Sequence, residues 1–264
     1  MLAFATPSFA KNITINDTQG PNSAGWGAPG KNQGGEDQET EPGTIGNQSW
    51  DLEAFTLNGS SLKVYSGFNL LSGNNPYALG DIFVGRANTA KWKSSDYVGL
   101  DAQLNGVNNN SQFKYDYVIH FNSRSGTSIG TGTYDVYALA GLTTELLDES
   151  TVKGLSNPFK LNDRSIQNLR KVGSGTMSVA TDANAIITLE DGSQVTGGTH
   201  YIGEINLATT GIKLSQKDDN LFHLTMGCGN DNLIGRVPDG GATLAMLGFA
   251  VSGLSLVSRR LGRK

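Results

Sequence analysis

Short runs of alternating apolar and polar residues, separated by Gly, Asn, Ser and Asp, fill most of this chain and constrain its fold more than any other feature. In the clearest run, residues 113–121, apolar side chains occupy every second position: Phe113, Tyr115, Tyr117, Ile119 and Phe121. A period of two places such side chains on one face of a β-strand, so we predict a strand here, with Lys114, Asp116 and His120 on its other face.

Similar runs predict further strands at residues 50–57, 61–66, 80–85, 133–139, 176–181, 185–190, 201–207, 211–215 and 221–226. Asp191-Gly192 lies between two of these apolar runs and predicts a type I′ hairpin. The one helical pattern covers residues 143–152. Ten to twelve strands are enough for an all-β fold, and we predict an antiparallel, jelly-roll-like β-sandwich followed by a single C-terminal hydrophobic helix.

Composition narrows the classes of function. The net charge of −4 argues against a nucleic-acid-binding chain. A single Cys excludes an internal disulfide and any Cys-based zinc site. Only three His are present, which is a poor supply for a metal centre or a catalytic triad.

Local motifs also favour a non-enzymatic chain. Residues 126–130 read Gly-Thr-Ser-Ile-Gly, but a nucleophile elbow needs a helix after it, and a Gly/Thr-rich turn follows here. Asp51 and Glu53 could be the paired carboxylates of a glycosidase. They are two positions apart on a predicted strand, however, and such neighbours usually form an ordinary solvated face. Cys228 lies between two glycines, with no His beside it in the sequence. We predict no catalytic residues.

The first ten residues are uncharged, mostly apolar and end in Ser8-Phe9-Ala10. Small residues at Ser8 and Ala10 fit the −3 and −1 positions of a signal-peptidase site. We interpret residues 1–10 as the distal part of a signal peptide that starts further upstream. The chain is then a substrate of the export machinery and of signal peptidase.

The C-terminal region has three parts. A turn sequence comes first: Val237, Pro238, Asp239, Gly240 and Gly241. Residues 242–258 follow without a charge, and as a helix these 17 residues span roughly 26 Å, close to the ~30 Å core of a bilayer. Four cations then end the chain, on the side that stays cytoplasmic: Arg259, Arg260, Arg263 and Lys264.

This three-part tail resembles the PEP-CTERM class of bacterial sorting signals, in the variant that begins Val-Pro-Asp-Ser/Gly-Gly. The resemblance implies that the chain is exported, held transiently in the membrane and processed by an exosortase, a membrane-embedded enzyme similar to cysteine transpeptidases. It also implies that Pro238 and Asp239 lie in the segment that the exosortase recognises.

The body of the chain resembles a group of exosortase-dependent surface proteins of bacteria. The matching segments are residues 13–17, 36–37, 50–53, 80–83, 115–118, 134–137, 156–159 and 223–231. The resemblance implies one β-rich extracellular domain ahead of the sorting tail, and no activity comes with it. The expected location is the cell surface or extracellular matrix of a Gram-negative-type bacterium.

These observations divide the chain into five parts. We predict a signal-peptide remnant at 1–10, a β-sandwich domain at 11–229, a connector with the sorting motif at 230–241, a transmembrane segment at 242–258 and a basic cytoplasmic tail at 259–264.

A polysaccharide-binding module displayed on the cell surface is the alternative function. Trp26 and Trp92 fall in predicted loops, where an exposed aromatic ring is harder to explain by packing. They are the candidate stacking residues for an exopolysaccharide. Trp50 alternates with Leu52 and is expected in the core.

An acidic loop is the candidate for a cofactor, a calcium ion. Four carboxylates occur within six residues of a Gly/Pro-rich stretch: Glu36, Asp37, Glu39 and Glu41. Calcium prefers six to eight oxygen ligands in a flexible site, and Asp51 and Asp81 could add two. The competing interpretation is a solvated run of charges.

We expect Lys11 to be the first residue of the mature chain, because signal peptidase cuts after the small residue at −1. N-terminal sequencing of the exported protein measures this directly. A protein that retains Met1 would contradict the cleavage site.

Overall fold

The structure is a computed structural model, and it describes residues 8–9, 48–74, 76–86, 110–123, 129–139, 147–148, 158–188, 194–196, 198–215, 220–227 and 231–237. Fourteen strands lie in these ranges: β1 (Ser8–Phe9), β2 (Leu52–Asn58), β3 (Ser61–Ser66), β4 (Ile82–Arg86), β5 (Tyr117–Ser123), β6 (Gly130–Ala138), β7 (Leu147–Asp148), β8 (Lys160–Leu161), β9 (Lys171–Asp182), β10 (Ile186–Thr188), β11 (Gln194–Thr196), β12 (His200–Asn206), β13 (Asn220–Thr225) and β14 (Asn232–Val237). The only helical segments in these ranges are the four-residue α1 (Asn110–Phe113) and 3₁₀ turns at Gln48–Trp50, Ile166–Asn168 and Leu207–Thr209.

Ten strands form one antiparallel sheet in the order β1-β2-β3-β12-β9-β6-β5-β4-β13-β14. The pairs β7/β8 and β10/β11 stand apart from it. Gly59 and Ser60 connect β2 to β3, and the φ of Gly59 is +59°, the sign that a type II′ hairpin turn requires at its first position. The prediction of an all-β, antiparallel fold is confirmed.

The large sheet curves until it is nearly closed, and β14 packs against β2 near the other end of the strand order. At this seam the Leu52 N–H donates to Asp231 Oδ2 at 2.6 Å. Phe55 of β2 and Phe222 of β13 meet across the interior with ring centroids 5.8 Å apart. We predicted two packed sheets. The structure has one curved sheet, which surrounds its core and leaves little open edge.

The main core fills the inside of this curve, and its fully buried members include Leu52, Phe55, Leu62, Val64, Leu70, Ile82, Ile119, Val136, Met177, Ile205, Phe222 and Leu224. A second cluster covers the outer face of β4, β5 and β13: Phe83, Phe113, Tyr115, Val118, Tyr137, Leu139, Leu161 and Leu221. These strands are therefore buried on both faces, which is why β13 has six buried residues in a row.

The strand predicted over residues 113–121 is shorter than expected. It begins at Tyr117, because α1 and a left-handed Lys114 (φ 59°) turn the chain just before it. The Asn110 side chain holds this turn: its Nδ2 donates to the carbonyls of Tyr115 at 2.7 Å and Leu139 at 3.1 Å. Tyr115 consequently joins the outer cluster, while Ile119 points into the main core.

Three other segments differ from the sequence prediction. Residues 211–215 form no strand, and the helix predicted over 143–152 is replaced at Leu147–Asp148 by β7, which pairs with β8. Residues 232–237 were predicted as connector but form β14, paired with β13 along its whole length. The hairpin prediction is confirmed in its pairing, since Ile186 of β10 lies opposite Thr196 of β11.

The structure describes only a few residues of the predicted targeting segments. Ser8 and Phe9 of the predicted signal peptide pair with Leu57 and Thr56 of β2. No helix in the described part of the chain has the length and apolar character needed to cross a membrane. The predicted membrane span at 242–258 and basic tail at 259–264 lie outside the described residues.

Replacing Asp231 with Ala should lower the free energy of unfolding by about 1–3 kcal/mol, because the buried Leu52 N–H loses its acceptor. Asp231→Asn keeps a carbonyl acceptor and should lose less. Urea unfolding followed by circular dichroism measures both.

Asp182→Ala is the matched control. Its carboxylate accepts from the Asn184 N–H at 2.8 Å, but at an exposed turn, so the expected loss is within about 0.5 kcal/mol. An equal loss in Asp182→Ala and Asp231→Ala would contradict the role of the seam.

Candidate functional site

All three histidines of the chain lie on strands and are buried: His120, His200 and His223 are 8%, 0% and 1% exposed. Each has a hydrogen-bonding partner that is distant in the sequence. They are candidates for chemistry because a histidine that is paired with another polar side chain often has a shifted pKa, as catalytic histidines do.

His120 of β5 lies against Asp81, which immediately precedes β4. Their Nδ1 and Oδ2 atoms are 2.7 Å apart. The same carboxylate accepts from the N–H groups of Phe121 at 3.1 Å and Leu161 at 2.8 Å. Burial alone would lower the pKa of His120, but the hydrogen bond and charge of Asp81 outweigh it and raise that pKa above its usual value. The pair ties β8 to β4 and β5.

His200 of β12 is bound by Glu53 of β2, and both side chains are fully buried. The Nδ1 atom of His200 is 2.7 Å from Oε1 and 2.8 Å from Oε2 of Glu53. The Gln48 side-chain amide also donates to Oε1 at 2.7 Å. These contacts join the start of β2 to the start of β12, with β3 between them in the sheet.

His223 of β13 belongs to the second core cluster. Its Nδ1 lies 2.7 Å from the Tyr115 hydroxyl, and its Nε2 lies 3.1 Å from Thr225 Oγ1. Burial lowers the pKa of His223 to about 3 and raises the pKa of the Tyr115 hydroxyl. Both groups are therefore neutral, and the geometry fits a Tyr115 O–H that donates to Nδ1 and an Nε2–H that donates to Thr225.

The histidines thus connect strands that are far apart along the chain. In the described part of the chain, no group of three or more His, Cys, Asp and Glu side chains is placed to hold a metal ion. Sequence reasoning could not find these pairs, because their partners are separated by 39, 147 and 108 residues.

The candidate calcium ligands are only partly described. Glu36, Asp37, Glu39 and Glu41 lie outside the described residues. Asp81 is buried and its carboxylate is engaged by His120 and two backbone N–H groups. Asp51 is also buried, and its carbonyl accepts from Gly67 and Phe68. The calcium site stays a prediction, and it would require Asp81 to exchange partners.

The candidate sugar-binding residues Trp26 and Trp92 lie outside the described residues. Trp50 is described and packs beside the main core, with its ring centroid 6.0 Å from Phe68 and 6.1 Å from Tyr77. This is the packing role that its alternation with Leu52 predicted.

An open cleft of about 280 Å³ lies where β4 ends and β13 begins, and sequence reasoning missed it. Its lining is polar and carries both signs of charge: Val84, Gly85, Arg86, Asp116, Tyr117, Lys213, Ser215 and Asn220. Arg86 Nε lies 3.4 Å from Asp116 Oδ2. The Asn220 side chain forms two hydrogen bonds with the backbone of Ser215 in the wall of the cleft. Its Oδ1 accepts from the Ser215 N–H at 2.7 Å, and its Nδ2 donates to the Ser215 carbonyl at 3.1 Å.

The predicted sorting motif starts where the sheet ends. Val237 is the last residue of β14 and pairs with Asn220, while Pro238, Asp239, Gly240 and Gly241 lie outside the described residues. Proline has no N–H to donate, so it is a natural end to a strand.

Comparison with known proteins identifies this part of the chain. Residues 236–261 match the VPDSG-CTERM motif, a C-terminal sorting signal similar to PEP-CTERM. The signal suggests exosortase-type processing, and it implies export and association with the cell surface. No curated protein and no solved structure matches the chain significantly. The resemblance of the body to exosortase-dependent surface proteins stays a prediction.

We predict that His223 makes the fold sensitive to acid between pH 6.5 and about 3. Its pKa is lower in the folded state than in the unfolded chain, so below pH 6.5 the unfolded chain binds the extra proton. Stability should fall by up to about 1.4 kcal/mol per pH unit and level off below the folded pKa. Urea unfolding at a series of pH values measures the slope.

His223→Gln should remove this part of the slope. Tyr115→Phe is the matched control, because it removes the hydrogen bond at Nδ1 but leaves a buried imidazole that titrates. An unchanged slope in His223→Gln would show that the titrating group lies elsewhere.

Proposed function

We propose that this chain is an exported, non-enzymatic protein of the cell surface or extracellular matrix, delivered through the exosortase pathway by its C-terminal tail. The observation that carries the proposal is the match of residues 236–261 to the VPDSG-CTERM motif, which begins at the end of β14, the last described strand of a β-rich body. A Gram-negative-type bacterium is the expected host. Signal peptidase, the export machinery and an exosortase are the expected partners.

The order of parts in the tail supports a transient anchor. A permanent single-span anchor needs only an apolar segment and a basic flank, which residues 242–264 supply. A fixed Val-Pro-Asp-Gly-Gly segment outside the membrane adds nothing to anchoring. It is useful to an enzyme that must recognise the chain next to the bilayer.

The histidines support a non-enzymatic body. His200 and His223 are inaccessible in the core, and His120 is held by a carboxylate that also ties two backbone N–H groups. A general base must reach the proton that it removes, and two of the three imidazoles cannot reach a substrate without opening the sheet. Their pairings are those of structural ties between strands.

Replacing both Pro238 and Asp239 with Ala should leave membrane insertion intact but block processing, because it changes the recognised segment and not the apolar span. The measurement is the fraction of mature protein, by immunoblot, in a bacterium that carries an exosortase for this motif. Normal maturation of the double variant would contradict the sorting function.

Two controls separate recognition from general damage. Gly240→Ser introduces the serine for which the motif is named, and this variant should be processed normally. Asp17→Ala with Pro29→Ala removes the same two residue types outside the motif and should also be processed. Failure of this second control would assign the defect to the substitutions themselves.

A further inference from the structure

The cleft at Arg86 lies at the same end of the sheet as the exit to the tail. Arg86 pairs with Asn220, and Asn220 pairs with Val237, so the three residues form one row across β4, β13 and β14. Adjacent strands are about 4.8 Å apart, which places the backbone of Arg86 about 10 Å from the first residue of the sorting motif.

Basic side chains collect at this end. Tyr117, the first residue of β5, pairs with Ala138, and Tyr137 pairs with Lys171, so β5, β6 and β9 bring Lys171 and the adjacent Arg170 to the same edge as Arg86. The described cations there are Arg86, Arg170, Lys171 and Lys213, and all four are exposed.

Among the described residues, two carboxylates pair with cations of this group. Asp116 Oδ2 lies 3.4 Å from Arg86 Nε, and Asp135 Oδ1 lies 2.5 Å from Lys171 Nζ. Four positive charges against two negative ones leave a surplus of two at this end, among the described residues of a chain whose net charge is −4.

The chain between this end and the expected membrane span is short. From Val237 to Ala242 there are five residue steps, which reach at most about 17 Å. The headgroup layer occupies roughly 5–8 Å outside the hydrocarbon core on each side. The basic end of the sheet is therefore held within reach of the headgroups for as long as the tail stays in the bilayer.

We propose that this end of the body is a docking face for an anionic membrane surface, and that the Arg86–Lys213 cleft receives the phosphate of a phospholipid headgroup. The inference rests on the proposed function, since it takes residues 242–258 as the membrane span. The planar guanidinium of Arg86 matches two phosphate oxygens, and the Lys213 ammonium adds a second charge. The ion pair with Asp116 orients Arg86, and the two hydrogen bonds between Asn220 and Ser215 hold the segment that carries Lys213.

Docking would set the position of the body before processing. A body seated on its basic end presents the start of the tail, at Val237, at the bilayer surface. A body that tumbles freely on a five-residue tether presents it only part of the time. Binding to the acidic lipid thus promotes presentation of the motif at the bilayer surface.

The test is hydrogen exchange of the full chain reconstituted in vesicles of phosphatidylcholine, with and without one third phosphatidylglycerol. Amides of residues 211–215, a segment that carries Lys213 and forms no strand, should exchange more slowly in the anionic vesicles. Residues 180–186 lie at the opposite end of the sheet, where Asp182 pairs with His200, and should not change. Equal exchange of 211–215 in the two kinds of vesicle would overturn the proposal.

Charge variants give the matched comparison. Arg86→Gln with Lys213→Gln should reduce the protection by about tenfold or more. Lys63→Gln with Arg164→Gln removes the same charges from other exposed or half-exposed positions and should retain the protection. If both double variants lose it equally, the attraction is a property of net charge and the cleft has no part in it.

Two added ligands distinguish other occupants of the cleft. Inorganic phosphate or an oligogalacturonate, each added to phosphatidylcholine vesicles, should give no comparable protection of residues 211–215. Equal protection by free phosphate, or by the acidic sugar, would replace the lipid with that ligand and overturn the docking face.

Flotation separates this inference from the proposed function. A chain that floats with both kinds of vesicle but shows equal exchange retains the sorting function and loses the docking face. A chain that floats with neither has no membrane-inserted tail, and both proposals then fail.

Discussion

The hydrogen-bond ladder that runs from β2 through seven further strands to β14 is the constraint on which the rest of the structure depends. Antiparallel sheets leave unpaired N–H and C=O groups at their edges, and curvature here brings β14 against β2 with Asp231 accepting from Leu52. Closure lets one sheet enclose a core that would otherwise need two. It also places Val237, the first residue of the sorting motif, at the end of β14 and opposite Asn220.

Buried polar pairs lock the sheet at several points. Asp81 with His120, Glu53 with His200 and Tyr115 with His223 each join segments that the apolar pattern alone would leave free to slip in register. Such groups are costly to bury unless paired, so each pairing also disfavours any register in which it is broken. The histidine pairings thereby contribute to the uniqueness of the fold.

The sequence predicted those parts of this molecule whose signals are local. Alternation found most strands, Asp191-Gly192 found the β10/β11 pairing, and the order of motif, apolar segment and basic end found the sorting signal. Lys114 in a left-handed conformation and the two-sided burial of β13 are consequences of tertiary packing, which is why the strand at 113–121 was drawn too long. β14 was missed because Gly235 and Arg236 break its apolar alternation, and pairing with β13 supplies what propensity does not. The cleft combines residues from four separate segments, so the spacing of residues along the sequence could not predict it.

A folded body that ends at the first residue of its sorting signal is the central claim, and the mass of the mature chain tests it most directly. Intact-mass spectrometry of the protein from a host with the matching exosortase should show a chain that has lost residues 242–264 but retains β14. The same host without the enzyme should yield the chain through Lys264. Retention of Lys264 in both hosts, or loss of β14 with the tail, would contradict the account.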